Sequence, residues 1–184
     1  MRIGLYGGAF DPIHIGHLRT IVHALAVGDL DEVWVVPAWE HAFGKNMAPF
    51  TERVAMCRDA VEDVFGPLGL AYVLDIESSY KTRYTVDLVE ALKAEVPEVQ
   101  LVLVIGQDNV DTMPQWHRWA DLSKMVELLV VPDQGPMRSS KIRLAIENGD
   151  LESVRSWLPR RVYGRIEKSL VYGKKGVDFQ PPIP

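Results

Sequence analysis

The chain has 184 residues, 47% of them hydrophobic and 24% charged, with a net charge of −5; that is enough for one well-buried domain and too little for two of ordinary size. The acidic balance disfavours nucleic acid as a partner, and no apolar run nears the ~20 residues of a membrane span. A single cysteine, Cys57, excludes an internal disulfide and reads as a small core hydrophobe; the N-terminus has a strand pattern rather than a long apolar stretch, so the expectation is a cytoplasmic chain with no membrane contact.

The first element is a strand, Arg2–Tyr6, that breaks into Gly7-Gly8. After Phe10-Asp11-Pro12 come two histidines three apart, His14 and His17, with Gly16 between them and a helical pattern over Gly16–Val27. Glycines let backbone approach a ligand closely. A helix start offers free N–H groups and a positive dipole end. Two imidazoles at that mouth can donate to phosphoryl oxygens, so the segment reads as a phosphate-binding arrangement. A glycine turn with two surface histidines accounts for the glycines but not for the Phe-Asp-Pro linker.

The remaining elements alternate. Glu32–Pro37 is the second strand, Thr51–Phe65 a helix and Ala71–Ile76 the third strand. Tyr84-Thr85-Val86-Asp87 opens a helix over Thr85–Glu95, with Thr85 as its capping residue. The fourth strand, Gln100–Ile105, ends in Gly106-Gln107-Asp108; a glycine there, with an acid two residues on, suits close ligand approach and hydrogen bonds to ribose hydroxyls. A short helical pattern lies near Trp116–Leu122. Trp119 reads as core, while Trp116, following Pro114 in a loop, is placed for stacking. Glu127–Val131 is the fifth strand. Helical patterns then follow over Ser139–Asn148, Asp150–Trp157 and Arg160–Val171, with Asn148-Gly149 as a stop. Gly173–Pro184 reads as a poorly ordered or loosely docked tail behind a single domain of residues 1–172.

Strands that are Val/Ile/Leu-rich and nearly unbroken are covered on both faces. Their alternation with helices predicts an α/β fold: a doubly wound, Rossmann-like parallel sheet of about five strands with a helical C-terminal extension. Ligands then collect at the carboxyl ends of the strands. Ser139-Ser140-Lys141-Ile142-Arg143 falls at a helix start, where the hydroxyls are simple caps or, with the two cations, an anion site. Residues 1–137 carry a net −10 and residues 138–184 a net +5, which suits a polyphosphate ligand, although a solvated helical surface accounts for most of those charges equally well. There is no GxSxG, no HExxH and no zinc-type cluster.

His14-Ile15-Gly16-His17 resembles the HxGH signature of the nucleotidylyltransferase superfamily, and Gly7 to His17 resembles the longer GGxFDPxHxGH form of bacterial nicotinate mononucleotide adenylyltransferases. Met137–Arg143 resembles the second signature, ISSTxIR, with Arg138 replacing its first serine and Ser140 its threonine. Ile105–Asp108 with Trp116–Trp119 is similar to IGxD…WxxW, and Tyr84–Asp87 to the SYT(I/V)DTL segment, with Arg83 where serine is usual. Leu158–Val162 and Leu170–Tyr172 are similar to the closing LPxxV…LY pattern.

The resemblance implies transfer of AMP from ATP to nicotinate mononucleotide. His14 and His17 would donate to the α- and β-phosphates, and Arg143, Ser139 and Ser140 would hold the leaving pyrophosphate. Gly7, Gly8, Phe10, Gly16, Gly106 and Asp108 would bind ATP; Lys45 stands where the family has a PPHK-like loop with a phosphate-seeking lysine. Tyr84, Thr85 and Trp116 would bind the acceptor. Mg²⁺ would travel with ATP rather than sit in a carboxylate cage, and the resemblance leaves room for a homo-oligomer. Two alternatives stand beside this: a same-fold transferase acting on nicotinamide mononucleotide or a phosphorylated alcohol, and a non-catalytic nucleotide-binding protein.

Overall fold

The computed structural model describes residues 1–40, 46–80, 82–169 and 171–173. Lys45, Leu170 and residues 174–184 of the tail lie outside them, and with them the expectations placed on that lysine and on the order of the tail. Five strands, β1 (Arg2–Gly8), β2 (Glu32–Pro37), β3 (Ala71–Val73), β4 (Gln100–Gly106) and β5 (Glu127–Val131), form one parallel sheet in the order β3-β2-β1-β4-β5. Leu5 pairs with Trp34 on one side and Leu103 on the other. The chain winds outward from β1 to β3, then returns to lay β4 and β5 on the opposite side. That reversal opens a crevice between the carboxyl ends of β1 and β4.

Side chains alternate across each strand, and this divides the core. Ile3, Leu5, Leu101, Leu103 and Ile105 pack against α4 (Thr85–Glu95) and α5 (Trp119–Met125). Tyr6, Val33, Val35 and Val104 face the other layer: α1 (Ile15–Val27), α2 (Phe50–Phe65), α6 (Ser139–Glu147) and α7 (Arg160–Lys168). The sheet is therefore covered on both faces, as its unbroken strands require. Cys57 lies fully buried on α2.

Several elements differ from expectation. The third strand pairs only over Ala71–Val73; beyond it Ile76–Tyr80 forms a short helix, α3, with the Ser78 hydroxyl donating to the Asp75 carbonyl at 2.8 Å. Gln107–Gln115 and Leu151–Trp157 are 3₁₀ turns, the first containing Pro114, which cannot donate to an α-helical ladder. The helix expected near Trp116–Leu122 begins only at Trp119, because Arg118 takes left-handed angles (φ 51°, ψ 38°) that no α-helix accommodates. Tyr84, not Thr85, is the N-cap of α4, and Arg138, not a serine, that of α6. The last helix stops at Lys168, short of Val171. The Asn148-Gly149 stop is as expected: Gly149 is left-handed (φ 74°) and Asp150 N–H reaches back to the Ala145 carbonyl at 2.8 Å.

Candidate active site

The crevice is a cleft of about 780 Å³ lined by the ends of β1 and β4, the starts of α1, α4 and α6, and the segments after β4 and β5. At its centre are two imidazoles. His14 is the extended N-cap of α1 and His17 its third residue. The rings stack with centroids 3.7 Å apart and planes 20° from parallel. His14 N–H donates to His17 Nδ1 at 3.1 Å. An accepting Nδ1 puts the proton of neutral His17 on Nε2, leaving that atom as an oriented donor. Among the described residues His14 Nδ1 has no hydrogen-bond partner, an orphaned polar atom beside the cleft.

Both rings are held neutral. Burial, helped by the Arg138 cation, lowers the His14 pKa to about 4. Burial, then His14 and Arg138, lowers His17 well below its usual value. Neither is poised for proton transfer near pH 7; both suit neutral hydrogen bonding to anionic oxygen. Between about pH 6.5 and 4 the unfolded chain binds protons that the folded imidazoles refuse, so their contribution to stability is complete above pH 6.5 and falls with pH through that window. Burial raises Glu77 to about 7, which works in the opposite direction, so wild type must be compared with a variant. His14→Gln is expected to lose less stability than wild type between pH 7.5 and pH 4.5 in urea titrations; parallel losses would contradict this.

The glycines make room for this pair. A Cβ on Gly16 would come within 3.0 Å of the His14 ring, and one on Gly8 within 3.0 Å of the Phe10 ring. Phe10 itself is left-handed (φ 45°), a costly conformation for a bulky residue. Its ring is buried, edge-on to Tyr6 (5.3 Å) and His17 (5.0 Å). Phe10 thus lies where its sequence assignment puts it but props His17 from behind. Gly7 and Gly8 line the cleft beside it. A Cβ on Gly106 would come 2.7 Å from Asp108 Oδ1, so this glycine admits the Asp108 carboxylate at the strand end.

The second motif docks directly on the first. The Ser139 hydroxyl donates to the Pro12 carbonyl at 2.9 Å and Arg143 Nη1 to the Asp11 carbonyl at 2.5 Å. Ser140 is exposed and stands outside the cleft lining, one position further round the helix than Ser139. Arg138 does line the cleft; Nη2 pairs with Asp133 at 2.6 Å while Nη1 caps the Gly135 and Met137 carbonyls at 2.8 and 2.9 Å.

At the other end Tyr84, Thr85 and Trp116 share one wall. His117, which scattered spacing gave no reason to select, stacks on Tyr84 with centroids 4.2 Å apart and belongs to this wall; its position between two tryptophans was the available signal. Trp116 and Trp119 meet edge-on at 6.2 Å, both half-buried. Arg118 braces the wall by pairing with Glu90, Asp87 and Asp121. Arg83 borders the cleft with its guanidinium paired to Glu40.

Nine of the expected site residues in the two histidine-side signatures and the β4 end (Gly7, Gly8, Phe10, His14, Gly16, His17, Gly106, Asp108 and Ser139), together with Arg143, thus converge on one cleft. A cleft at the switch point of a parallel sheet, carrying paired imidazoles and a guanidinium, is that of a nucleotide-handling α/β protein. The cytidylyltransferase-like family model matches residues 5–161, and the chain belongs to that family. Its relatives include a "probable nicotinate-nucleotide adenylyltransferase" of Anaeromyxobacter dehalogenans (strain 2CP-C), 32% identical over 93% of this chain and 96% of the relative. A protein of the same name from Myxococcus xanthus (strain DK1622) is 32% identical over 95% and 96%. The structure of Plasmodium falciparum nicotinic acid mononucleotide adenylyltransferase complexed with NaAD shares the fold, with a TM-score of 0.78 and 18% identity over 93% of this chain and 97% of that one. Among the described residues no helix is long and apolar enough to cross a membrane.

Proposed function

We propose that this chain is a nicotinate-nucleotide adenylyltransferase, joining ATP and nicotinate mononucleotide to give nicotinate adenine dinucleotide and pyrophosphate. The observation that carries the reading is the meeting of His14 and His17 with Arg143 and Ser139 in one cleft whose far wall is aromatic. A phosphate oxygen of the mononucleotide attacks the α-phosphorus of ATP, a P–O bond forms, the bond to the β-phosphate oxygen breaks, and pyrophosphate leaves with the electron pair. The nucleophile is already anionic, so no general base is needed, in keeping with two imidazoles held neutral. Catalysis comes from holding the reactants in line and stabilising charge on the phosphoryl oxygens.

His17 Nε2–H donates to the α-phosphoryl oxygen, where charge changes most, and His14 to a neighbouring oxygen. Arg143 and the N–H groups opening α6 hold the departing pyrophosphate. Mg²⁺ would enter with ATP, held by phosphate oxygens and water. Trp116 supports the pyridine ring, and Tyr84 and Thr85 border the ring substituent. Since Arg83 is paired with Glu40, discrimination for a carboxylate falls to the hydroxyl and N–H groups at the start of α4.

The test is pyrophosphate release with ATP and Mg²⁺ across a panel of acceptors. kcat/KM is expected to favour nicotinate mononucleotide over the nicotinamide form; equal efficiency, or preference for a phosphorylated alcohol, would overturn the assignment. Trp116→Ala is expected to raise the acceptor KM more than the ATP KM, since losing a stacking partner costs about 0.5–1.5 kcal/mol beyond the lost area. A defect confined to ATP would move Trp116 to the other substrate.

A further inference from the structure

The last described turn of the chain comes back to the loop that carries the histidines. Tyr172 packs half-buried against the core, and its hydroxyl donates to Asp11 Oδ1 at 2.7 Å. Asp11 is 2% exposed. The same carboxylate oxygen accepts Ala48 N–H at 3.2 Å, and the other, Oδ2, stands 3.4 Å from Arg143 Nη1. That nitrogen also donates to the Asp11 main-chain carbonyl. One buried aspartate therefore touches the C-terminal segment with one oxygen and the polyphosphate-side guanidinium with the other.

Three features make this contact more than packing. First, Nη1 alone of the Arg143 nitrogens is engaged; among the described residues Nε and Nη2 make no hydrogen bond. A guanidinium is a rigid planar fork of five donors, so anchoring one nitrogen sets the direction of the others. Second, burial and the facing Asp11 raise the Tyr172 pKa, so the hydroxyl keeps its proton and remains a donor to Asp11. Third, without that donor Asp11 Oδ1 retains only the longer Ala48 contact; a carboxylate that turns about its Cβ–Cγ bond leaves Arg143 Nη1 with its main-chain anchor alone, about which the guanidinium can pivot.

We propose that Tyr172 is a positioning residue for ATP: through Asp11 it holds the Arg143 guanidinium in the orientation that grips the polyphosphate. The inference rests on the role given to Arg143 in the proposed function. It assigns a share in substrate binding to a side chain 161 positions from the carboxylate it holds.

Tyr172→Phe keeps the ring and removes only the hydroxyl. In calorimetric titrations of the full chain, this variant is expected to bind ATP about 3- to 10-fold more weakly, the span a single hydrogen bond commands. Binding of AMP, which lacks the β- and γ-phosphates, is expected to stay at the wild-type level. Placed on an Arg143→Ala background, the same change is expected to add no further loss, because the group it orients is gone. Unchanged ATP affinity, equal weakening of ATP and AMP, or a full additional loss on the Arg143→Ala background would each overturn the proposal. Should Tyr172→Phe fail to fold, Asp11→Asn keeps the shape and removes the charge beside Arg143; the same ATP-selective loss is expected, and its absence is equally fatal. Pyrophosphate release by wild type with nicotinate mononucleotide is followed in parallel. Its absence, with the binding pattern intact, sinks the proposed activity and leaves the positioning role standing.

Discussion

His17→Ala is expected to lower turnover about 10²–10³-fold while changing ATP affinity far less, the cost typical of removing one preorganised donor aimed at transition-state charge. The expectation follows from the ring's fixed tautomer. Its Nδ1 is occupied by His14 N–H at 3.1 Å, so Nε2–H points away from that bond and is left as the ring's donor. The ring is held in place by His14 on one face and the Phe10 edge at 5.0 Å on another, and burial keeps it neutral. A donor already oriented in the free protein costs nothing to arrange when charge develops, which is why kcat rather than KM carries the loss. Steady-state kinetics on a variant shown by circular dichroism to be folded decides the matter. Near-wild-type kcat would remove His17 from the mechanism, and a loss appearing wholly in the ATP KM would reduce it to a binding group.

The second large effect is on stability. Arg53 is 1% exposed, yet it is an arginine. Its Nε donates to the Ala48 carbonyl at 2.9 Å, Nη1 to Ala9 at 2.8 Å and Nη2 to Ala38 at 2.7 Å. Two connections are thereby tied to α2: the one after β1, through Ala9, and the one between β2 and α2, held near both its ends through Ala38 and Ala48. Burial lowers the Arg53 pKa, but guanidinium pKa values lie so high that the group stays charged. Arg53→Met keeps comparable bulk and strands three carbonyls. The expected loss is about 3–5 kcal/mol in chemical denaturation, the range for removing one partner from a buried charged network. Arg53→Lys should recover little, because a point charge cannot span three acceptors held by a planar fork. A loss under about 1 kcal/mol for Arg53→Met would mean that water replaces the guanidinium at those carbonyls.

Much of this was legible because the relevant signals are local. Unbroken apolar strands alternating with helical periodicity define a doubly wound parallel sheet, and the glycine–histidine spacing marks the carboxyl end of β1, where the cleft lies. What stayed hidden depends on contacts between distant segments. Thr85 looks like a cap, but Tyr84 carries the extended backbone, so the helix starts one residue earlier than the hydroxyl suggests. Ser140 matches a motif threonine, yet helical rotation turns it to solvent while Ser139 docks on Pro12. His117 gains meaning only from the Tyr84 ring beneath it. No local pattern marks Arg53 as the tie between the β1–α1 and β2–α2 connections, since its partners are main-chain carbonyls that carry no side-chain signature. Tyr172 matches the closing LY pattern, but its partner stays hidden until Asp11 is found under its hydroxyl.

The docking of α6 on the histidine loop has a further consequence for the order in which a newly made chain becomes competent. All five strands lie between Arg2 and Val131, so a nascent polypeptide extended to the end of β5 already contains every strand of the sheet. It still lacks Ser139 and Arg143, which close onto Pro12 and Asp11, and Tyr172, which seals Asp11 from the other side. The loop after β1 is thus finished by residues made only after every strand of the sheet, and a product stalled just beyond β5 can hold the strands while the contacts of Ser139, Arg143 and Tyr172 with that loop are missing.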